Sequence, residues 1–306
     1  MKRPSARYPS ALATMIANTA TVAGRLAQLA GVPLRNVGYA GLKDRNAVTE
    51  QWFSVHLSGR ADPDWRALDS DRITLLQHTR HTRKLRRGAL LGNAFRLRVR
   101  GLAGEPDALQ ERLQQVAAAG VPNYFGEQRF GLGGSNLVTA VRLFDGASLR
   151  LSRHKRGLAL SAARAFLFNR VLGQRVVDGS WNQLLPGEAV QLAGSHSFFA
   201  AGELDAQLQR RLREGDIHPS GPLAGRGDPP VSGECRQLES DCLAPYAVMI
   251  RGLAAAGLKQ ERRALRVMAR DMTWSWPVGD ELLLEFSLPA GSYATSVLRE
   301  LLLKAE

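Results

Sequence analysis

The stretch "NAFRLRVRGL", residues 93–102, alternates without a break: Phe95, Leu97 and Val99 fall on one side, Arg96, Arg98 and Arg100 on the other. A period of two residues is that of a strand with one covered face and one wet face. Such a strand needs apolar cover, and helices able to supply it are nearby. "EPDALQERLQQVAAAG" reads as an amphipathic helix, and residues 13–30 read as another, with Ile16, Ala20, Ala23, Leu26, Ala27 and Ala30 on one side. "NVGYAG", "FSVHL" (Phe53, Val55 and Leu57 against Ser54 and His56), "ITLLQH" and "ELLLEFSLPAG" read as further strands. "LSAARAFLFNRVLGQRV", residues 234–256 and "SYATSVLRELLLKA" read as helices. Residues 215–233, rich in Pro and Gly, read as a long loop without periodicity. Strands and helices mix without strict βαβ alternation and without an internal repeat. The expectation is an α+β fold on a mixed, largely antiparallel sheet.

The 306 residues suffice for one large domain or two ordinary ones, and an apolar fraction of 44% allows a sizeable core. No apolar run is long enough to span a bilayer. The start, "MKRPSARYPSALATMIANT", is basic, but its apolar part is short and broken, so no secretory signal is expected. Two cysteines, Cys235 and Cys242, make neither a metal-ligand pattern nor a disulfide framework, and a reduced, cytoplasmic protein is expected. The formal charge of +13 points to a polyanionic partner, nucleic acid being the simplest. Only six of the 41 basic residues are Lys, a bias that a GC-rich genome also produces, so location tells more than the total. Residues 80–100 hold eight Lys or Arg and no Asp or Glu. Arg83, Lys84, Arg86, Arg87, Arg96 and Arg98 in this run are the candidate nucleic-acid contacts, three arginines on one strand being spaced to follow a phosphate backbone.

Other segments offer chemistry. In "AGLKDRNAVT" a carboxylate, Asp44, stands between Lys43 and Arg45 at a strand-to-strand junction. Oriented and ionised, it could act as base or nucleophile, with its cationic neighbours favouring the charged form. On spacing alone a charged hairpin turn is the stronger reading. "GNAF" places Asn93, able to bond a base edge, and Phe95, able to stack, directly after the basic run; on sequence alone a turn Asn feeding a core Phe is the stronger reading. "NYFGEQRFGLGG" sets aromatics and glycines around Arg129, an arrangement that suits unpaired RNA or a structural loop. It lacks the spacing of a dinucleotide fingerprint. Tyr293, at the opening of the last helix, could cover a bound base or close the helix onto the sheet. The six histidines show no metal spacing and read as surface or RNA-facing groups, so no metal is expected.

Taken together, "YAGLKDRNAVTEQWFS", "RKLRRGALLGNAF", "GVPNYFGEQRFGLGGSNL", "LSAARAFLFN" and "LPAGSYATSVLREL" resemble the TruD family of tRNA pseudouridine synthases. These segments occur in family order and spread over roughly residues 14–306. The resemblance implies a pseudouridine synthase catalytic domain, residues 1–119 and 266–306, interrupted by an inserted α/β domain, residues 120–265. It implies isomerisation of a tRNA uridine, typically U13, to pseudouridine. Asp44 matches the catalytic aspartate, and Lys43, Asn93 and Phe95 match residues lining its pocket. Tyr293 stands where bacterial relatives commonly carry a Phe that contacts the base. The implied reaction involves neither redox chemistry nor hydrolysis, so no cofactor is expected; the partner would be tRNA and the working form a monomer. Relatives carry further residues, with an "EDFxVxE"-like segment, before the first helix. Here that region is missing or replaced, as a late gene start or a truncation would leave it. A catalytically impaired tRNA-binding protein is therefore an alternative. A glycosidase-like pairing of Asp44 with Glu50 is a third reading, without support from a second motif.

Overall fold

The structure is a computed structural model that describes residues 8–15, 17–44, 46–57, 59–86 and 88–302, the side chains of 8–15 excepted. Its contacts divide the chain into two units, Met1–Leu91 and Gly92–Glu306.

The first unit contains β1 (Tyr8–Met15), α1 (Thr19–Leu29), β2 (Val37–Tyr39), β3 (Thr49–Val55) and β4 (Ile73–His81). The strands form one antiparallel sheet in the order β2-β3-β1-β4. α1 begins where Asn18 caps it, its side chain accepting from the Ala20 N–H. Val22, Ala23, Leu26 and Ala27 recur at helical spacing and are buried with Phe53, Val55, Trp65 and Ile73. The helix expected over residues 13–30 is thus shorter. Residues 13–15 are strand, paired with Thr49–Gln51 on one side and Ile73–Leu75 on the other, and Ile16 lies outside the described residues. A central strand is fixed by two non-local partners, which no local window reveals. Ser54, expected on the wet face of β3, is fully buried because the chain at residue 85 crosses over it.

The second unit opens with the alternating strand β5 (Gly92–Val99), then α2 (Pro106–Ala119), β6 (Val121–Pro122), α3 (Ser135–Phe144) and α4 (Arg153–Val177). There follow β7 (Ala189–Leu192), β8 (Phe198–Ala200), α5 (Ala206–Arg213), β9 (Ile217–Leu223), α6 (Gly233–Leu243) and α7 (Ala247–Ala255). The unit closes with β10 (Glu261–Ala264), β11 (Arg266–Val267), β12 (Arg270–Ser275), β13 (Leu282–Pro289) and α8 (Ala294–Leu301). β5 lies against β13 in the antiparallel sheet β12-β13-β5, with Val99 opposite Leu282 and Gly92 opposite Pro289. The expected faces hold. Phe95, Leu97 and Val99 pack with Leu284, Phe286, Leu113 of α2 and Val297 of α8. Arg96 meets Glu285 at 3.0 Å, while Arg98 and Arg100 meet Glu281 at 3.6 and 3.0 Å. β6 pairs with β11, Val121 opposite Val267.

A second sheet of this unit has the order β10-β9-β7-β8, with α4 packed on it. Its central strand β9, "IHPSGPL", overturns the loop expected over residues 215–233. Its prolines and glycine read as breakers, yet six of its seven residues are buried. The pairing tolerates them: Pro219 still accepts from the Leu265 N–H at 2.8 Å. Gly221 is required, because a Cβ there would lie 2.8 Å from Leu265 and 3.0 Å from Phe168 of α4. His218, read as surface or RNA-facing, is instead buried in β9, where its Nδ1 accepts from Arg266 Nε at 3.2 Å. Two ion pairs are sealed alongside. Arg175 donates to Glu188 at 2.9 Å, and Arg262 grips both oxygens of Glu239 at 2.6 and 3.0 Å. Cys235, between the two carboxylates, has its thiol pKa raised by burial first and then by Glu188 and Glu239.

Arg175→Met alone strands the buried Glu188 charge and should cost about 3–5 kcal/mol in urea unfolding. Adding Glu188→Gln should recover part of the loss, since it removes the stranded charge and its amide oxygen can still accept from one of the two N–H groups, Leu185 and Ser220, that the separate Glu188 oxygens serve. His218 gives a pH signature. Burial, helped by Arg266 and Arg270 and opposed by Asp216, lowers its pKa to about 4. The unfolded chain therefore binds a proton that the folded chain refuses between about pH 6.5 and 4, and stability falls as pH drops through that window. The loss should be about 3 kcal/mol, and smaller in His218→Asn, whose Oδ1 can still accept from Arg266; urea titrations at pH 7, 5 and 4 would measure it.

Candidate active site

In the first unit, residues 40–48 join β2 to β3 and carry Lys43 and Asp44. The loop is held from below by two buried polar side chains. The Thr19 hydroxyl, on the first residue of α1, accepts from the Lys43 N–H at 2.9 Å and donates to Gln51 Oε1 at 3.1 Å. Gln51, on β3, donates its amide to the Gly41 carbonyl at 2.5 Å. Thr19 is fully buried and Gln51 nearly so. Two elements thus fix the backbone immediately before Asp44. Asp44 is exposed, and its Oδ1 accepts from the Asn46 N–H at 3.0 Å, closing an Asx turn. Lys43 is half-buried, and that burial lowers its pKa. Arg45 lies outside the described residues.

The basic run is pinned beside this loop. The Gly88 N–H donates to the Ala40 carbonyl at 3.1 Å and the Leu85 N–H to Ser54 Oγ at 2.9 Å. The backbone passes so close to β2 that a Cβ on Gly38 would lie 2.4 Å from the Leu85 carbonyl oxygen. Lys84 Nζ bonds the Arg35 carbonyl, while Arg83 and Arg86 are exposed. Arg87 lies outside the described residues. Arg80, at the start of the run, is paired with Asp62 at 2.8 Å.

In the second unit the other candidates lie on β5 and around the start of α8. Asn93 is half-buried opposite Leu288 in the strand register, so it sits at the strand end from which the chain turns toward Tyr293. Phe95 stacks on Phe286, with ring centroids 5.4 Å apart. That pairing turns Phe95 toward the core of its own sheet, as the simpler reading of "GNAF" expects. Tyr293 is the residue that caps α8, and its hydroxyl accepts from Arg129 Nη2 at 3.1 Å. Arg129 also donates to Ser161 Oγ at 3.1 Å, and its guanidinium stands 5.2 Å from the Phe125 ring. Arg96 and Arg98 are exposed but share their charges with Glu285 and Glu281.

Sequence reasoning passed over Thr19, Gln51 and Arg263. Gln51 left a signal: an amide at the inward position two residues before Phe53 and four before Val55. A cleft of about 560 Å³ lined by Arg170, Glu234, Asp241 and Tyr246 contains none of the residues above. No helix among the described residues is long and apolar enough to cross a membrane.

Comparison with known proteins bears on this arrangement. The fold aligns with a crystal structure from Methanosarcina mazei, a putative tRNA pseudouridine synthase D, with a TM-score of 0.71 at 19% identity, covering 97% of this chain and 88% of that one. The family model described as tRNA pseudouridine synthase D (TruD) matches residues 11–141 and 135–301. The tRNA pseudouridine synthase D of Methylococcus capsulatus is 56% identical over 284 residues, which are 93% of this chain and 80% of that protein. Its counterpart in Nitrosococcus oceani is 55% identical over 285 residues, 92% of this chain and 80% of that protein. The chain belongs to the TruD family of tRNA pseudouridine synthases.

Thr19→Val removes the link between α1, β3 and the Asp44 loop, leaving the Lys43 N–H and Gln51 Oε1 short of a partner. It should cost about 1–3 kcal/mol in urea unfolding and speed amide exchange at Lys43, whereas Thr19→Ser should behave as the parent chain.

Proposed function

We propose that this chain isomerises a uridine of tRNA, U13, to pseudouridine, with Asp44 as the catalytic residue. The observation that carries the reading is the position of Asp44: a solvent-facing carboxylate on a loop clamped by Thr19 and Gln51, next to a cationic segment, inside a family match that spans residues 11–141. A carboxylate that cleaves a glycosidic bond must be reachable by a large substrate and held still, and the clamp supplies the second condition. The names of the relatives, tRNA pseudouridine synthase D, support the substrate class.

A uracil inside a stack is out of reach, so the nucleotide is extruded at a cost of a few kcal/mol. Arg83, Lys84, Arg86 and Arg87 hold the backbone during that step. Arg96 and Arg98 contribute less, since each also faces a carboxylate. Tyr293 replaces lost base stacking, Phe95 supports the pocket from within the sheet where it packs on Phe286, Asn93 bonds the base, and Lys43 and Arg129 supply positive charge. Asp44 breaks the N1–C1′ bond by attacking C1′ or by removing the C2′ proton. The uracil turns and C5 bonds to C1′ as the Asp44–C1′ bond breaks or, on the second route, as the proton returns to C2′; the C5 proton is then lost and N1 gains one. The product has the composition of the substrate, so the balance calls for no external oxidant, reductant or water.

The domain plan belongs to the same proposal: a catalytic domain over residues 1–119 and 266–306 and an insertion over 120–265, acting as a monomer in the cytoplasm. Within the second unit the apolar clusters support it. One joins β5, α2, β12, β13 and α8, the others lie between residues 124 and 265, and β6 with β11 forms the neck.

Asp44→Asn should lower conversion of U13 in a transcribed tRNA by about a thousand-fold or more while leaving tRNA binding intact, as removal of a reacting group does. Retained conversion would remove Asp44 from the role. Salt-sensitive tRNA binding by the parent chain with no pseudouridine formed would replace the isomerase with a tRNA-binding protein.

A further inference from the structure

Arg129 and Arg263 share one aromatic ring. The Arg263 guanidinium lies 4.0 Å from the centre of Phe125 and the Arg129 guanidinium 5.2 Å from it. Arg263 Nη2 donates to Asn123 Oδ1 at 2.7 Å and to the Gly291 carbonyl at 3.1 Å, which ties β10 to the turn before α8. Arg129 reaches the same turn through the Tyr293 hydroxyl. Among the described residues neither guanidinium forms an ion pair with a carboxylate, and the Nε of each is buried without a hydrogen-bond partner.

This differs from Arg266, which is buried without an acid but spends its donors on His218 Nδ1 and the Leu212 and Ile217 carbonyls, and from the two arginines that have one. Arg175 and Arg262 are also sealed in, and each has its own glutamate. Two like charges over one ring gain roughly 0.5–2 kcal/mol each from the π face. That does not offset several kcal/mol of desolvation per ion. The strain is visible on Arg263. Burial lowers its pKa to about 10, Tyr293 opposing and the Arg129 charge adding to the effect. A site with two cations, unused donors and no acid is incomplete until an anion enters. Arg129, Arg263 and Tyr293 are each only partly buried as residues.

We propose that Arg129 and Arg263 form a paired-guanidinium site for a phosphodiester group of the bound RNA, set beside Tyr293. The planar fork of each guanidinium fits two phosphate oxygens, and stacking on Phe125 orients both before the RNA arrives. The Tyr293 hydroxyl, bonded by Arg129, couples the phosphate grip to the ring that stacks on the base. The assignment deepens the proposed tRNA reading and rests on it.

The test is binding of a fluorescent tRNA transcript over a KCl series, in an Asp44→Asn background that prevents turnover. Arg129→Gln and Arg263→Gln should each weaken binding about ten-fold and make the plot of log affinity against log salt shallower by about 0.7–0.9, one phosphate contact. Arg263→Lys keeps the charge and should keep the slope. Unchanged affinity and slope in glutamine variants with a parent-like circular dichroism spectrum would overturn the proposal. If Arg263→Gln does not fold, Arg129→Gln decides alone. Parallel conversion assays with intact Asp44 separate the two readings. Shallower slopes without any pseudouridine would leave the anion site standing and remove the isomerase; pseudouridine with unchanged slopes would do the reverse.

Discussion

The ladder between β5 and β13 carries the second unit. It joins residues far apart in the chain, Arg100 and Glu281 being 181 positions apart. Closing a flexible loop of that length would cost about 5 kcal/mol in chain entropy. Two features lower the cost. The intervening chain has apolar clusters of its own, and β6 paired with β11 holds its ends side by side. Aromatic and aliphatic contact along the ladder then fixes the register: Phe95 opposite Phe286, Leu97 opposite Leu284, Val99 opposite Leu282. A slip of one residue would turn these side chains into water and the arginines into the core. Gly92 permits this register at the end, since a Cβ there would meet the Leu288 carbonyl oxygen at 2.4 Å. The turn to Tyr293, and with it the Arg129 and Arg263 site, inherits its position from this pairing.

The same logic explains what could be read from the sequence. Period-two alternation in β5 and β13, and the apolar stripe of α8, are local patterns, and they appear where expected. At the Asp44 loop three adjacent charges between two strands stood out, but spacing alone favoured a charged turn, and only the family resemblance raised a catalytic expectation. β1 was not legible: "YPSALATM" alternates weakly, and its place between β3 and β4 depends on chain tens of residues away. β9 was hidden by Pro219, Gly221 and Pro222, residues that usually end strands. Here Gly221 allows α4 to approach, and Pro219, which cannot donate, still accepts from the Leu265 N–H.

The site residues that went unread have a common cause. Thr19 and Gln51 act as a bridge between a helix start and a strand, and neither has a neighbour in sequence that marks it. Their chemistry exists only after folding, when a hydroxyl able to accept and donate at once meets an amide able to do the same. Arg263 sits in "ERRALR", where Arg262 beside it faces the opposite way into a carboxylate. Strand alternation sends one arginine to Glu239 and the next to Phe125. Adjacent identical residues thus acquire opposite roles, and only the sheet distinguishes them.

That contrast bears on the charge of +13. A total says little about nucleic acid, because the cations fall into physically different classes. Arg175 and Arg262 are neutralised in the interior, and Arg96, Arg98 and Arg100 are offset at the surface by Glu285 and Glu281. Arg83 and Arg86 stand free in solvent, where salt screens them and their pull on a polyanion is general. Arg129 and Arg263 are partly desolvated, preoriented on a ring and without an acid. Screening is weaker there, and geometry can favour one phosphate over its neighbours. The exposed class raises the chance of encounter with RNA, and the desolvated class can set its register. The first follows from composition, the second only from the fold.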